Sequence, residues 1–302
     1  HPFDVVPDPV KDPVLTDSLP VEAALGKLDY YEVVAFSDPR ATAAVWYRLL
    51  NCGFRPSAAA GTDAMTNYSS LRGPVGLDRV YVAMDSLPSE PAGRVEQWLA
   101  ALRAGRTMAT NGPLLGFTVE GKDPGSEITL PPEGGELQYR GFLRSAVPVD
   151  HLEVVVNGEV VRTFRLKGDR MSADIDGRVA VQGSGWVLLR AWNDDSYPDT
   201  LDAYPYGTTN PVFFGGATAA THCGADADYF LKWIDRLDAA AEAAQTTLIE
   251  FGLFGAGRNE ALADEIIGRR AQVVFGAHRE SVSLAQRLGL RGPLGWHDNL
   301  LD

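Results

Sequence analysis

The run Ser57-Ala-Ala-Ala-Gly-Thr-Asp63 is a stretch of small residues closed by a carboxylate. Small residues suit a buried strand, and Asp63 then falls at its tip. In α/β folds ligands and metals gather at the C-terminal ends of strands, so Asp63 is a candidate metal ligand. A metal site needs several converging His, Asp, Glu or Cys ligands, and the only His upstream of Asp63 is His1. Asp4, Glu32 and Asp38 read as ordinary polar residues ahead of extra oxygen ligands. Asn67 lies in the loop after Asp63, and Arg79 follows the Gly76 turn; these are the candidates for contacting substrate, Arg79 by taking an anionic group. Arg72 is equally well placed by sequence. Other reactive types find no support in their spacing. Ser184, in Gln182-Gly-Ser-Gly185, lacks the Gly-x-Ser-x-Gly pattern of a nucleophile elbow. His222-Cys223 has no second Cys or base at useful spacing, and Cys52 is far away in sequence, so two free thiols are expected. Tyr197, Tyr204 and Tyr206 offer aromatic surface to a sugar or aryl group, with packing as the default.

The elements that would position these residues change character along the chain. From Leu28 to Thr110 short apolar strands alternate with amphipathic segments, which predicts repeated βα units on a parallel sheet. Tyr30–Phe36 is read as a strand and Ala41–Leu50 as a helix stopped by Gly53 and Pro56. Arg79–Met84 alternates as a further strand. Pro91–Gly105 is read as a helix burying Val95, Trp98, Leu99 and Leu102, and Arg106–Thr110 closes the series. After Asn111-Gly-Pro113 the pattern becomes all-β, with strands predicted at Leu114–Val119, Leu137–Leu143, Arg178–Gln182, Trp186–Trp192 and Pro211–Phe214. His151–Val156, Asn157-Gly158 and Glu159–Phe164 form the strongest hairpin signal in the chain. The last part is helical: Tyr229, Phe230, Trp233, Ile234 and Leu237 share one helix face behind Asp226, and Asn259–Val274 is a second candidate. The predicted architecture is therefore an α/β domain over 1–112, an antiparallel β-sandwich over 113–215 and a helical tail over 216–302.

Composition narrows the partners. The 302 residues carry 40 acidic and 27 basic side chains, a formal charge of −13, which repels a phosphate backbone and argues against nucleic acid. No apolar run reaches the roughly 18 residues needed to span a bilayer, so no membrane partner is expected.

The order of these pieces resembles the CehA/McbA-like metallohydrolases, which carry a PHP-type catalytic barrel. His1-Pro2-Phe3 resembles the family's His-Pro element, Ala60-Gly-Thr-Asp63 its later Gly-x-Asp element, and Gly76–Val82 its following strand. Gly105-Arg-Thr-Met-Ala-Thr-Asn-Gly-Pro113 resembles the junction into its β-domain, Thr208-Thr-Asn-Pro-Val212 the end of that domain, and Tyr229–Leu237 its helical tail. The resemblance implies a partial barrel, and a divalent-metal-dependent hydrolase (Zn, Mn or Fe) acting on small phosphoester or carboxylic-ester-like substrates, with His1 and Asp63 as ligands. The family's His-x-His has no match here, and Met65 stands where the PHP pattern tends to place a His. Two expectations follow: the chain is the C-terminal part of a longer enzyme, or a degenerate relative without hydrolysis. In either case two ligands leave a metal underbound, so little or no turnover is expected from this chain alone. A truncated barrel also exposes edges that a homodimer would cover. The alternative reading is a non-catalytic binding or scaffold protein acting through its β-sandwich.

Overall fold

The computed structural model describes residues 18–35, 37–65, 73–131, 133–215 and 223–250, with side chains to 239. His1, Asn67 and the helix predicted at Asn259–Val274 lie outside the described residues.

A short helix α1 (Leu19–Ala24) precedes strand β1 (Tyr30–Val34), helix α2 (Pro39–Asn51) and strand β2 (Ser57–Ala60). Asp38 starts α2 by accepting from the backbone N–H of Arg40 and Ala41 at 2.9 and 3.0 Å, and Pro39 supplies a preset φ. The helix ends at Cys52, where Gly53 takes φ +86°, a conformation that favours glycine. Val45, Trp46, Leu49 and Leu50 form its buried face, and the Trp46 Nε1–H donates to the Pro56 carbonyl at 2.8 Å. β1 and β2 pair in parallel, Tyr30 opposite Ser57 and Val34 opposite Ala60. The small side chains of β2 leave room for Thr107, whose hydroxyl donates to the Ala58 carbonyl at 2.8 Å.

The expected parallel series stops there. Strand β3 (Arg79–Val82) leads through helix α3 (Pro91–Arg103) to strand β4 (Thr107–Thr110), and β3 and β4 pair antiparallel. Their alternation is compatible with either direction; the partner strand decides it. α3 also departs from expectation. Leu102 is its one buried residue, whereas Val95 is 60% and Trp98 36% exposed, because little beyond β3 packs against this helix among the described residues.

The remaining strands are β5 (Leu114–Val119), β6 (Glu127–Thr129), β7 (Gly135–Arg144), β8 (His151–Val156), β9 (Glu159–Phe164), β10 (Ser172–Val181), β11 (Gly185–Trp192), β12 (Tyr206–Thr209) and β13 (Val212–Gly215). β6 and β12 were not anticipated, being short and followed or preceded by proline. The β8–β9 hairpin turns on Asn157 and Gly158, both at positive φ, as an Asn-Gly turn requires. β5, β7 and β10 make one antiparallel sheet in the order β10-β7-β5. β11 is the hub of the larger sheet: β8 flanks one edge, and β12 and β13 share the other. β4 joins β12, carrying β3 with it, so this sheet runs across residue 112.

The larger sheet is covered on both sides, and β11 accordingly reads as a near-continuous apolar run. Val187, Leu189 and Ala191 meet Leu115, Phe117, Leu143 and Phe214 in the core between the sheets. Trp186, Leu188 and Trp192 point the other way, toward Trp46, Tyr47 and Leu49 of α2. Helix α4 (Gly224–Glu250) adds Ala227, Phe230, Trp233 and Ile234 to that second core. Its Asp226 binds Arg48 and accepts from the Asn51 amide at 2.9 Å, tying α4 to α2.

Candidate strand-end site

Beyond the C-terminal end of β2, three segments bring Glu32, Thr62, Asp78 and Arg79 together. Asp63 sits three residues past β2 at φ +52°, exposed, in the left-handed region that Asp tolerates better than most residues. Glu32 of β1 reaches across the chain ahead of it: its Oε1 lies 2.7 Å from where a Gly61 side chain would begin, so that position accepts only glycine without displacing the carboxylate. Thr62 is buried and clamps the far side. Its hydroxyl accepts from the Asp78 N–H at 2.9 Å and donates to the Asp78 carbonyl at 3.3 Å. This double contact delivers Asp78 and Arg79 to the same end of the strand pair.

Arg79 is half-buried. One of its terminal nitrogens, Nη1, donates to the Gly76 carbonyl at 3.2 Å, while its buried Nε finds no acceptor among the described residues. The carboxyl of Asp78 is pushed up to about 7, chiefly by burial and further by Glu32, with Arg79 opposing. Asp78 thus exchanges its proton near neutral pH. The sign of its linkage follows. The stabilising contribution is whole below the ordinary value near 3.8 and is lost as pH rises through about 7, because the folded chain must then hold a half-buried carboxylate. Asp78→Asn is therefore expected to be more stable than the parent at pH 8, with the difference shrinking toward pH 4. Urea midpoints at the two pH values check this, and an equal offset at both would refute it.

Carboxylate oxygens suit a hard divalent cation. Their disposition does not: among the described residues no three His, Cys, Asp or Glu side chains converge closely enough to hold one. No family model, curated protein or solved structure matches this chain.

Of the residues singled out from sequence, Glu32 and Arg79 come together around Asp78, while Asp63 lies exposed just past Thr62. Asp78 was missed, although its position beside Arg79 after the Gly76 turn was a signal. Asp38 takes the ordinary role, capping α2 and accepting from the Tyr204 hydroxyl at 2.7 Å. Tyr204 also accepts from the Arg40 N–H, and Tyr206 is fully buried, so these tyrosines are spent on packing. His151 stacks on Trp192 at 3.7 Å between ring centres and meets Asp194 at 2.8 Å. Cys52 and Cys223 are free and buried, with the Cys52 sulfur 4.0 Å from the Cys223 carbonyl. Burial, then the neighbouring thiol, pushes the Cys52 thiol well up, which leaves it a poor nucleophile.

Proposed function

We propose that this chain is the C-terminal part of a PHP-type hydrolase, with β1, α2 and β2 as a remnant of its barrel, acting on small phosphoester or carboxylic-ester-like substrates at the strand-end site. The observation that carries the reading is the buried Arg79 Nε with no acceptor among the described residues, next to Asp78, whose carboxyl also feels Glu32 of β1. A buried N–H donor without an acceptor is costly, and an ester's anionic oxygen satisfies it with a charge-assisted hydrogen bond. In this reading Arg79 orients the substrate, and Asp78 gives or takes a proton at the leaving-group oxygen, within the pH range where its charge changes. The ordered motifs shared with the CehA/McbA-like enzymes favour the same assignment, with Asp63 as a contributed metal ligand. When bound, a divalent ion supplies polarisation of the ester and an acidified water. The described residues do not enclose one, so the chain alone is expected to turn over little.

Calorimetric titration with phenyl phosphate at pH 7 tests the anion site. Arg79→Gln is expected to weaken binding about tenfold, the loss of one charge-assisted pair. Equal binding by parent and variant would remove the support for this reading. A second arm assays aryl phosphate and aryl ester hydrolysis with added Mn²⁺ or Zn²⁺. Turnover near background is expected, and tightly bound stoichiometric metal with turnover that survives Asp63→Asn would overturn the assigned role of Asp63.

A further inference from the structure

A second site lies away from these carboxylates, at the other end of β3. There the β3–β4 pair and the outer face of the β5-β7-β10 sheet enclose a cavity of about 630 Å³, within the usual range for small-molecule sites. Its walls are mainly apolar: Tyr81, Met108, Leu114, Phe117 and Phe142 all contribute. Three of them, Tyr81, Leu114 and Phe142, remain 38–46% exposed, so this is apolar surface left open among the described residues. The opening is built into the sheet. Phe142 lies opposite Gly116 in the β5–β7 register, and its ring occupies the space that a Gly116 side chain would take. The missing side chain lets the ring lie flat as a wall.

The charges around the cavity are not balanced evenly. On the β4 side Arg106 is paired with Asp85 at 3.0 Å, and Asp123 stands near it because Gly125 packs on Gly105. On the sheet side Arg144 is paired with Asp174 at 2.7 Å, and Arg178, on the same outer face, with Glu136 at 2.9 Å. Arg140 is different. It projects from the middle strand of this face between Thr118 and Asp176 in the register, lines the cavity, and makes no hydrogen bond or ion pair among the described residues. An apolar, aromatic-walled chamber with one uncommitted guanidinium at its edge is complementary to a molecule of matching polarity. We propose that the cavity binds a small organic carboxylate with a flat apolar body, the body lying against Phe142 and Tyr81 and the carboxylate on Arg140. The site is about 10 Å along β3 from Arg79, at roughly 3.3 Å per residue, so it is separate from the strand-end site.

The probes are 2-naphthoate and its neutral counterpart 2-naphthylmethanol, titrated calorimetrically into the full chain. Naphthoate is expected to bind at least about tenfold more tightly, since a bidentate guanidinium–carboxylate pair has no equivalent in the alcohol. Arg140→Gln is expected to erase that preference while weak binding of both probes persists, and Arg178→Gln to retain it. Phe142→Ala is expected to weaken both probes together. Arg140 is exposed, so far-UV circular dichroism and the urea midpoint of Arg140→Gln should match the parent. Equal affinity for the two probes in the parent, or a preference that survives Arg140→Gln, overturns the proposal. So does failure of both probes combined with a dimer in sedimentation that Phe142→Ala dissociates, which would assign the face to a second copy of the chain.

Discussion

Glu153→Ala destabilises the protein by about 3–5 kcal/mol, the range for removing one partner of a buried ion pair. Glu153 lies on β8 directly opposite Arg190 of β11, and the two side chains are only 8% and 13% exposed. The carboxylate accepts from Arg190 Nε at 2.8 Å and from the Trp192 indole N–H at 3.2 Å, so one residue satisfies two buried donors. Among the described residues no second acid takes its place. The neighbours of Arg190 on the α2 side are Tyr47 and Tyr206, phenols that burial pushes up and keeps neutral. An alanine at 153 leaves a guanidinium in the layer between α2 and the sheet with nothing to neutralise it. The check is a urea midpoint with unchanged slope, so that the shift reports stability alone. Glu153→Leu combined with Arg190→Met should recover most of the loss, because removing both charges removes the desolvation cost with them. A single variant within 1 kcal/mol of the parent would mean that water reaches the pair and that the burial argument is wrong.

Trp186→Ala is expected to cost a similar amount, about 3–5 kcal/mol, through lost apolar burial and the cavity left behind. Trp186 is 1% exposed and sits where the sheet meets both helices. Its ring packs on Tyr47 with centroids 4.9 Å apart, and its N–H donates to Asn51 Oδ1 at 2.9 Å. The Asn51 amide in turn donates to Asp226 of α4 and to the Asn157 carbonyl at the β8–β9 turn. One side chain therefore anchors α2 to β11 and, through Asn51, helps hold α4. Trp186→Phe retains most of the volume and loses the indole donor, so about 1–2 kcal/mol is expected. Hydrogen exchange adds a readout specific to the connection: α4 amides should lose more protection than those of the β5-β7-β10 sheet. If the phenylalanine costs as much as the alanine, the hydrogen bond rather than the packing holds this junction.

How much of this was legible in the sequence depended on how local each cause was. β5 was read from Leu114–Val119 with its observed bounds, and the Asn157-Gly158 hairpin was read outright, because alternation and turn chemistry act between near neighbours. α2 was also clear, since its apolar spacing and the Gly53 stop are written in consecutive residues. The direction of β3 and β4 was not. Thr107–Thr110 joins β12 about a hundred residues later, and a strand's alternation carries no label for its partner. α3 misled for a related reason: a helical stripe such as Val95, Trp98, Leu99 and Leu102 reports a capacity to be buried, and burial needs an opposing surface.

The strand-end site divides in the same way. By itself the sequence determined that small residues followed by Asp63 would form a short strand with a carboxylate at its tip, and that Arg79 would open a strand after a glycine turn. Those features rest on steric and conformational preferences over a few residues. Only the tertiary structure decided that Glu32 leans over Gly61, that Thr62 holds Asp78, and that Arg79 Nε is buried without an acceptor among the described residues. It also decided that the Arg140 guanidinium in the middle of β7 would line an apolar chamber with no ion pair among the described residues. Burial, and the charge behaviour that burial imposes, are properties of what surrounds a group. Those surroundings come from segments tens of residues apart, and a linear pattern does not say which of them will meet.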